Sequence, residues 1–397
     1  MLTTKSEALK GKKIIVCVTG SVSAIETPKL VRELRRMGAE VHCVMSDNAK
    51  NIIHPYVLEW ASDNEVVTKI TGKVQHVKLA GEVPDRADLI LIAPATSNTI
   101  GKVANGIDDT PVTTVVTTAF GSKIPIIIVP AMHITMYNHP IVQENIEKLK
   151  RHGVEFIGPK IEENKAKFPE IQTIINHILL KFRKKDLKGK KILITAGSTS
   201  EDIDAVRYIT NKSSGKTGVW LAEEAFARGA DVTLIRGNTT VEPVYPVKDV
   251  KVRTAKDMLD AIKSNINVDV VIHTAAVSDF TVEKQDEKIS SDNRINLELT
   301  LATKILEKIK DLNKNVFLIG FKAEYKKSKD ELIEAAFKKL QLAKADLIVV
   351  NDVGKENCGF GTDTNEIYII DADKKIKHVE LSHKRNIANR ILDMIIC

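Results

Sequence analysis

Five consecutive apolar residues, Ile14, Ile15, Val16, Cys17 and Val18, run straight into the turn Thr19-Gly20-Ser21-Val22-Ser23. A strand that is apolar on both faces must be covered on both faces, as the central strand of a parallel sheet is. After the turn, Leu30, Val31, Leu34 and Met37 recur at helical spacing, and Gly38 supplies a helix stop. Further short apolar runs predict strands over 41–45, 88–93 and 124–129. Strands that alternate with helices predict βαβ units and a doubly wound α/β sheet.

The opening recurs later in the chain. Leu9-Lys10-Gly11-Lys12-Lys13-Ile14 is echoed by Leu187-Lys188-Gly189-Lys190-Lys191-Ile192. Gly38-Ala39-Glu40-Val41 is echoed by Gly229-Ala230-Asp231-Val232. Between the halves, Lys181-Phe182-Arg183-Lys184-Lys185-Asp186 reads as a solvated linker. The chain of 397 residues is long enough for two domains with separate cores. The expected division is 1–186 and 187–397. In the second half, strands are predicted over 191–196, 231–235, 268–274, 316–321, 346–350 and 366–370, and 280–301 reads as a polar excursion over a site.

Composition narrows the function. The net charge of +7 is spread along the chain with no basic block interleaved with aromatics, which argues against nucleic-acid binding. Cys17, Cys43, Cys358 and Cys397 form no C-x-x-C pair and no zinc spacing, so reduced thiols and a cytoplasmic location are expected. No apolar run is long enough to span a membrane.

In the first half, residues 19–24 can present backbone N–H groups to a phosphate, although the turn lacks the full G-x-G-x-x-G fingerprint and can equally be an ordinary βα turn. Pro94-Ala95-Thr96-Ser97-Asn98-Thr99 and Pro130-Ala131-Met132-His133-Ile134-Thr135-Met136-Tyr137 each follow a predicted strand. Ligands of open α/β sheets bind at such carboxyl ends. His76 stands in a polar stretch, and nothing in its spacing singles it out.

Taken together, the 20–24 turn, His76, 94–99 and the Pro-Ala-Met-x-x-x-Met-Tyr run resemble the flavin-dependent cysteine decarboxylase superfamily over residues 12 to about 145. The resemblance implies a flavodoxin-like domain that binds FMN through Gly20, Ser21, Ser23, Ser46, Ser97, Asn98 and Met132. It places His133 and Met136 at the substrate and makes His76 catalytic in oxidative decarboxylation of a C-terminal cysteine carboxylate. It also implies trimers, often assembled into dodecamers. His133 stands where the family usually has Asn, and the stretch 161–167 lacks the flap cysteine of many bacterial relatives.

In the second half, Ser213-Ser214-Gly215-Lys216-Thr217 is not a P-loop: the first glycine would fall at Thr210, well past the strand. It reads instead as a loop feeding a helix from Gly215 to about Ala227. Asp279, after Ala275-Ala276-Val277-Ser278, can accept from a ligand or cap a helix, and Lys288 can neutralise phosphate or simply face solvent. These segments, with Asn211, Gly320-Phe321-Lys322-Ala323-Glu324, Asn351-Asp352-Val353 and Gly359-Phe360-Gly361, resemble phosphopantothenate–cysteine ligases over residues 190 to about 390. The resemblance implies a Rossmann-like domain with a mostly parallel sheet. It also implies Mg²⁺ and CTP as co-substrate, with phosphopantothenate and cysteine joined through an acyl-cytidylate. Asn211 then serves conversion of that intermediate, and Asp279, Lys288, Phe321 and Lys339 contact CTP. Ala302-Thr303-Lys304-Ile305 replaces a family Asn-Pro-Asp-Ile segment.

A bifunctional enzyme, both lyase and ligase, working in consecutive steps of coenzyme A biosynthesis is the leading expectation, assembled as a homo-oligomer with ligase dimers. An NAD(P)-dependent reductase and a flavin-binding regulatory subunit are the alternatives. The missing G-x-G-x-x-G argues against the first of these, and the presence of His76 against the second.

Overall fold

The computed structural model describes residues 8–162, 165–290 and 296–396. The chain divides into two compact units, Met1–Phe182 and Arg183–Cys397.

The first unit holds a five-stranded sheet built from β1 (Lys13–Val18), β2 (Glu40–Met45), β3 (Leu89–Ala95), β4 (Ile126–Pro130) and β5 (Glu155–Phe156), in the order β2-β1-β3-β4-β5. Every pairing is parallel. Period-two alternation splits β1 between two cores. Ile14, Val16 and Val18 pack with Leu30, Val31 and Leu34 of helix α1 (Thr27–Arg36), while Ile15 and Cys17 join the opposite face. Both faces are therefore sealed, as the unbroken apolar run predicts. Helix α1 ends ahead of Gly38, whose φ of 92° is the left-handed conformation a helix stop requires. Helices α2 (Gln75–Ala80), α3 (Ser97–Ala104) and α4 (Pro111–Gly121) cover the second face, and α5 (Ile171–Phe182) packs on the first.

The second unit holds an eight-stranded sheet. Its strands are β6 (Lys191–Ala196), β7 (Asp231–Arg236), β8 (Lys248–Lys251), β9 (Val270–His273), β10 (Phe317–Glu324), β11 (Leu347–Asp352), β12 (Thr364–Asp371) and β13 (Ile376–His383). The order is β8-β7-β6-β9-β10-β11-β12-β13, parallel from β8 to β11 and antiparallel beyond. Helix α6 (Lys216–Ala227) begins where the sequence places it, directly after Gly215. Helices α7 (Ile305–Leu312), α8 (Lys329–Ala343) and α9 (Lys384–Asp393) complete the layers used below.

The echoed openings use one physical device. The Asp88 carboxylate accepts from the Lys13 N–H at 2.8 Å, and the Asp269 carboxylate accepts from the Lys191 N–H at 2.7 Å. Each aspartate stands at the start of the neighbouring strand and satisfies an N–H at the sheet edge that would otherwise lack a partner. Leu9 and Leu187 are buried ahead of each strand, and each donates its N–H across to the end of a helix, at Met37 and Arg228.

Two expectations needed amendment. Residues 181–186 are not simply solvated: Phe182 closes α5, whereas Arg183 pairs with Glu224 and Asp186 with Arg228 inside the second unit. The excursion 280–301 is tied at its base by an antiparallel ribbon, Phe280–Val282 with Leu299–Leu301, and residues 291–295 lie outside the described set. Strands β8 and β13 went unpredicted because edge strands rich in lysine and solvent-facing residues carry little apolar signal.

Gly218 in α6 approaches the sheet so closely that a Cβ there would stand 2.5 Å from Ala196 Cβ and from Thr274 Oγ1. Gly218→Ala should destabilise the second unit by about 1–3 kcal/mol through overpacking. Chemical denaturation of the full chain checks this, and an unchanged midpoint would refute the close approach.

Candidate functional site

In each sheet the chain reverses its direction of winding once, between β1 and β3 and again between β6 and β9. The loops that leave those strands therefore diverge and open a crevice at the carboxyl edge.

In the first unit the crevice loops are joined through one buried hydroxyl. Thr19 Oγ1 donates to the Pro94 carbonyl at 2.8 Å and accepts from the Thr96 N–H at 3.1 Å. Thr27 Oγ1 donates to the Ala93 carbonyl at 3.0 Å. Gly20 is needed here, because a Cβ would lie 2.5 Å from that of Asn48. Gly20, Ser21 and Ser23 follow β1, Ser46 follows β2, Ser97 and Asn98 follow β3, and Met132 follows β4. The parallel sheet thus brings all of the expected flavin residues to one edge. The side chains of Ser21, Ser23, Ser97 and Asn98 have no hydrogen-bond partner among the described residues, leaving donors for a phosphate-bearing ligand. The Ser46 hydroxyl accepts from the Ala49 N–H at 3.4 Å and keeps its own proton to donate. This set fits a flavin mononucleotide, polar at the phosphate end with Met132 partly packed on the apolar core.

His133 caps a short helix. Its Nδ1 accepts from the Thr135 N–H at 3.3 Å, and its ring and Met136 are both exposed. His76 lies on α2, which packs chiefly on α4. Its Nδ1 is buried with no hydrogen-bond partner. A buried polar nitrogen left unpaired is costly and needs a reason, and ligand binding supplies one. The stretch without a flap cysteine forms the ribbon Lys160–Glu162 with Lys165–Lys167, and residues 163 and 164 lie outside the described set. Cys17 and Cys43 are buried, and burial pushes both thiols upward, Cys43 to about 12, so neither is a nucleophile at neutral pH.

In the second unit the crevice deepens into a cleft of about 670 Å³ lined by Asn211, Asp279, Phe321 and Lys339 together with residues after β9. A second cavity adjoins it at the head of α6, lined by Ser213, Ser214, Gly215 and Lys384 and sharing Ala275, Ala276 and Phe321 with the first. Asn211 Nδ2 donates to the carbonyls of Ala276 and Val277 at 3.1 and 3.2 Å, which fixes its amide over the crevice. Asp279 precedes a short strand, not a helix, and its carboxylate pairs with Lys304. Lys339 Nζ meets Glu307 Oε1 at 2.7 Å. Lys288 lies outside the lining of this cleft, on a segment held by Asp204 and Arg207 through Ile289. Burial alone would raise the Asp204 carboxyl, but three backbone N–H donors outweigh it and hold the carboxyl low.

The Ser-Gly-Lys-Thr stretch does not behave as a P-loop. Lys216 Nζ donates to the Gly361 carbonyl at 3.2 Å and to Asp363 at 2.6 Å. Lys384 Nζ donates to the carbonyls of Gly359 and Thr362 at 2.8 and 2.7 Å, and burial brings it down to about 8. Two lysines therefore hold the 359–363 loop against the second cavity.

Sequence reasoning passed over Lys304, Lys384 and His273. His273 also lines the main cleft, with burial first and Lys339 second holding it down at about 4. Only the crossing of distant strands brings these residues to the site. Among the described residues there is no group of three His, Cys, Asp or Glu placed to hold a metal, and no helix is long and apolar enough to cross a membrane.

His273 is neutral in the folded chain, while the unfolded chain takes up a proton near pH 6.5. Stability should therefore fall as pH drops from 6.5 toward 4, by up to about 1.4 kcal/mol per pH unit from this group. Denaturation midpoints at pH 7 and pH 5 check this, with His273→Gln expected to show a shallower decline.

Residues 2–183 match the family described as Flavoprotein, and residues 187–397 match the DNA/pantothenate metabolism flavoprotein C-terminal domain. The Coenzyme A biosynthesis bifunctional protein CoaBC of Thermococcus kodakarensis is 52% identical over 396 residues, covering 99% of this chain and 96% of that protein. The protein of the same name from Methanocaldococcus jannaschii is 42% identical over 395 residues, covering 99% and 95%. That of Bacillus subtilis is 36% identical over 402 residues, covering 98% and 97%. The chain belongs to the family of coenzyme A biosynthesis bifunctional proteins, enzymes with decarboxylase and ligase activities on one polypeptide.

Proposed function

We propose that residues 187–397 join phosphopantothenate to cysteine at the expense of CTP, and that residues 1–186 decarboxylate the product to phosphopantetheine with bound FMN. The observation that carries the ligase reading is the single cleft that gathers Asn211, Asp279, Phe321 and Lys339 at the reversal point of the sheet.

A free carboxylate is a poor acylating agent. Its attack on the α-phosphorus of CTP expels pyrophosphate and leaves an acyl-cytidylate; the cysteine amine then attacks the acyl carbon and CMP departs. Phe321 offers a flat face to the base, and Lys339 offers charge to the phosphates once Glu307 yields it. Lys288 joins these contacts in the reading, from outside the cleft lining. Mg²⁺ is expected to travel with the triphosphate, consistent with its preference for phosphate oxygens and water over an all-protein cage. The amide of Asn211, fixed over the 276–277 carbonyls, is placed to steer the acyl-cytidylate toward the amine.

In the first half, bound FMN supplies hydride-accepting and hydride-returning chemistry. Gly20, Ser21, Ser23, Ser46, Ser97, Asn98 and Met132 would hold it. His133 and Met136 would face the substrate. The unpaired Nδ1 of His76 supports a role in orienting the departing carboxylate or moving its proton. Exposed Val22, Ile25, Tyr56 and Trp60 fit a first half that trimerises, with second-half dimers extending the assembly toward a dodecamer. The buried thiols fit a cytoplasmic setting.

His76→Asn should lower carbon dioxide release about 10²–10⁴-fold and leave cysteine ligation intact. Retained decarboxylation removes His76 from the reaction. Asn211→Asp should accumulate acyl-cytidylate, visible by chromatography of quenched reactions, and normal product formation overturns that role.

A further inference from the structure

His273 is the last residue of β9, in register with Thr195 of β6 on one side and Gly320 of β10 on the other. It points to the same face as Val271, toward Ile305 and Leu306, which line the cleft beside it. Its side chain is nearly enclosed, with the residue 6% exposed.

Thr195 Oγ1 accepts from the Ala275 N–H at 3.2 Å and stands 2.8 Å from Nδ1 of His273. When the Thr195 hydroxyl donates its proton to Nδ1, the neutral imidazole carries its own proton on Nε2. Nε2 has no partner among the described residues. The carboxylates lining this cleft are already matched, Asp279 with Lys304 and Glu324 with Lys322, and Glu307 is held by Lys339, so the ring has no carboxylate to itself. In that tautomer the ring is an uncharged N–H donor in the cleft, between aliphatic walls, and its register partner Gly320 adjoins Phe321 on the neighbouring strand.

Such a donor suits an uncharged acceptor. Phosphate oxygens are better served by the lysines, whereas a carbonyl on a planar base matches a neutral donor beside apolar walls and an aromatic face. We propose that His273 determines nucleotide choice in the ligase, its Nε2–H donating to the ring carbonyl that cytosine and uracil share and adenine lacks. The proposal rests on the reading that this cleft takes CTP.

The test is steady-state ligation by the full chain with CTP, UTP or ATP, for wild type, His273→Leu, His273→Gln and Thr195→Val. His273→Leu should lower the ratio of kcat/KM for CTP over ATP about tenfold, through KM for CTP, as loss of one hydrogen bond to a neutral acceptor predicts. The CTP to UTP ratio should not move. His273→Gln keeps an N–H donor and should recover part of the preference. Thr195→Val frees Nδ1 and lets the ring proton relocate, so its loss should be intermediate. Melting curves for each variant separate misfolding from selectivity, and His273→Gln carries the question if His273→Leu does not fold. An unchanged CTP to ATP ratio in folded variants overturns the inference. So does a rise confined to KM for phosphopantothenate, which would put the donor on that substrate's amide. Wild type that consumes no CTP with phosphopantothenate and cysteine present would overturn the ligase reading itself, and this inference with it.

Discussion

A β-strand covered on both faces has no room for polar side chains except at its ends. That constraint governs both halves of this chain. Residues 14–18 and 192–194 are wholly buried, so chemistry is displaced to the carboxyl edge, where the parallel strands all finish together. Thr19 and Thr195, both buried, tie the loops on either side of each crevice together. Removing such a hydroxyl would leave buried backbone groups without partners, which costs more than the bond itself contributes.

Close backbone approach is the second requirement. Gly20 lets the first turn pass Asn48, and Gly218 lets helix α6 sit against Ala196 and Thr274. Both glycines serve proximity, not flexibility. In the second unit this proximity sets the head of a twelve-residue helix beside the cleft, where its N-terminal dipole adds to the field seen by an anionic ligand.

Most charge in the second-unit cleft is held in pairs, Asp279 with Lys304, Glu324 with Lys322 and Lys339 with Glu307, while Lys212 lines it with no ion-pair partner among the described residues. These pairs are partly exposed, so each contributes little to stability and can exchange partners cheaply. Under the proposed CTP reading, the triphosphate would compete with Asp279 and Glu307 for their lysines and release both carboxylates. The buried His273 has no such freedom, because Thr195 and the strand geometry hold it in one orientation.

The sequence by itself determined the layered architecture. Unbroken apolar runs predict central strands and Gly38 and Gly229 predict helix stops, and in the structure each of these glycines adopts a φ near +90°. The family segments around Gly20, Pro94, Pro130, Ala275 and Phe321 were legible as well, since motif residues keep their local spacing. The edge strands β8 and β13 were not, because solvated edges carry no periodic apolar signal. Nor were Lys304, Lys384 or His273. A lone lysine or histidine looks alike in sequence whether it faces water or a cleft. Only the parallel crossing of strands far apart in the chain placed His273 beside Thr195, 78 positions away in sequence. Local physics wrote the elements into the sequence, whereas burial and partner choice, being long-range, were left to the tertiary fold.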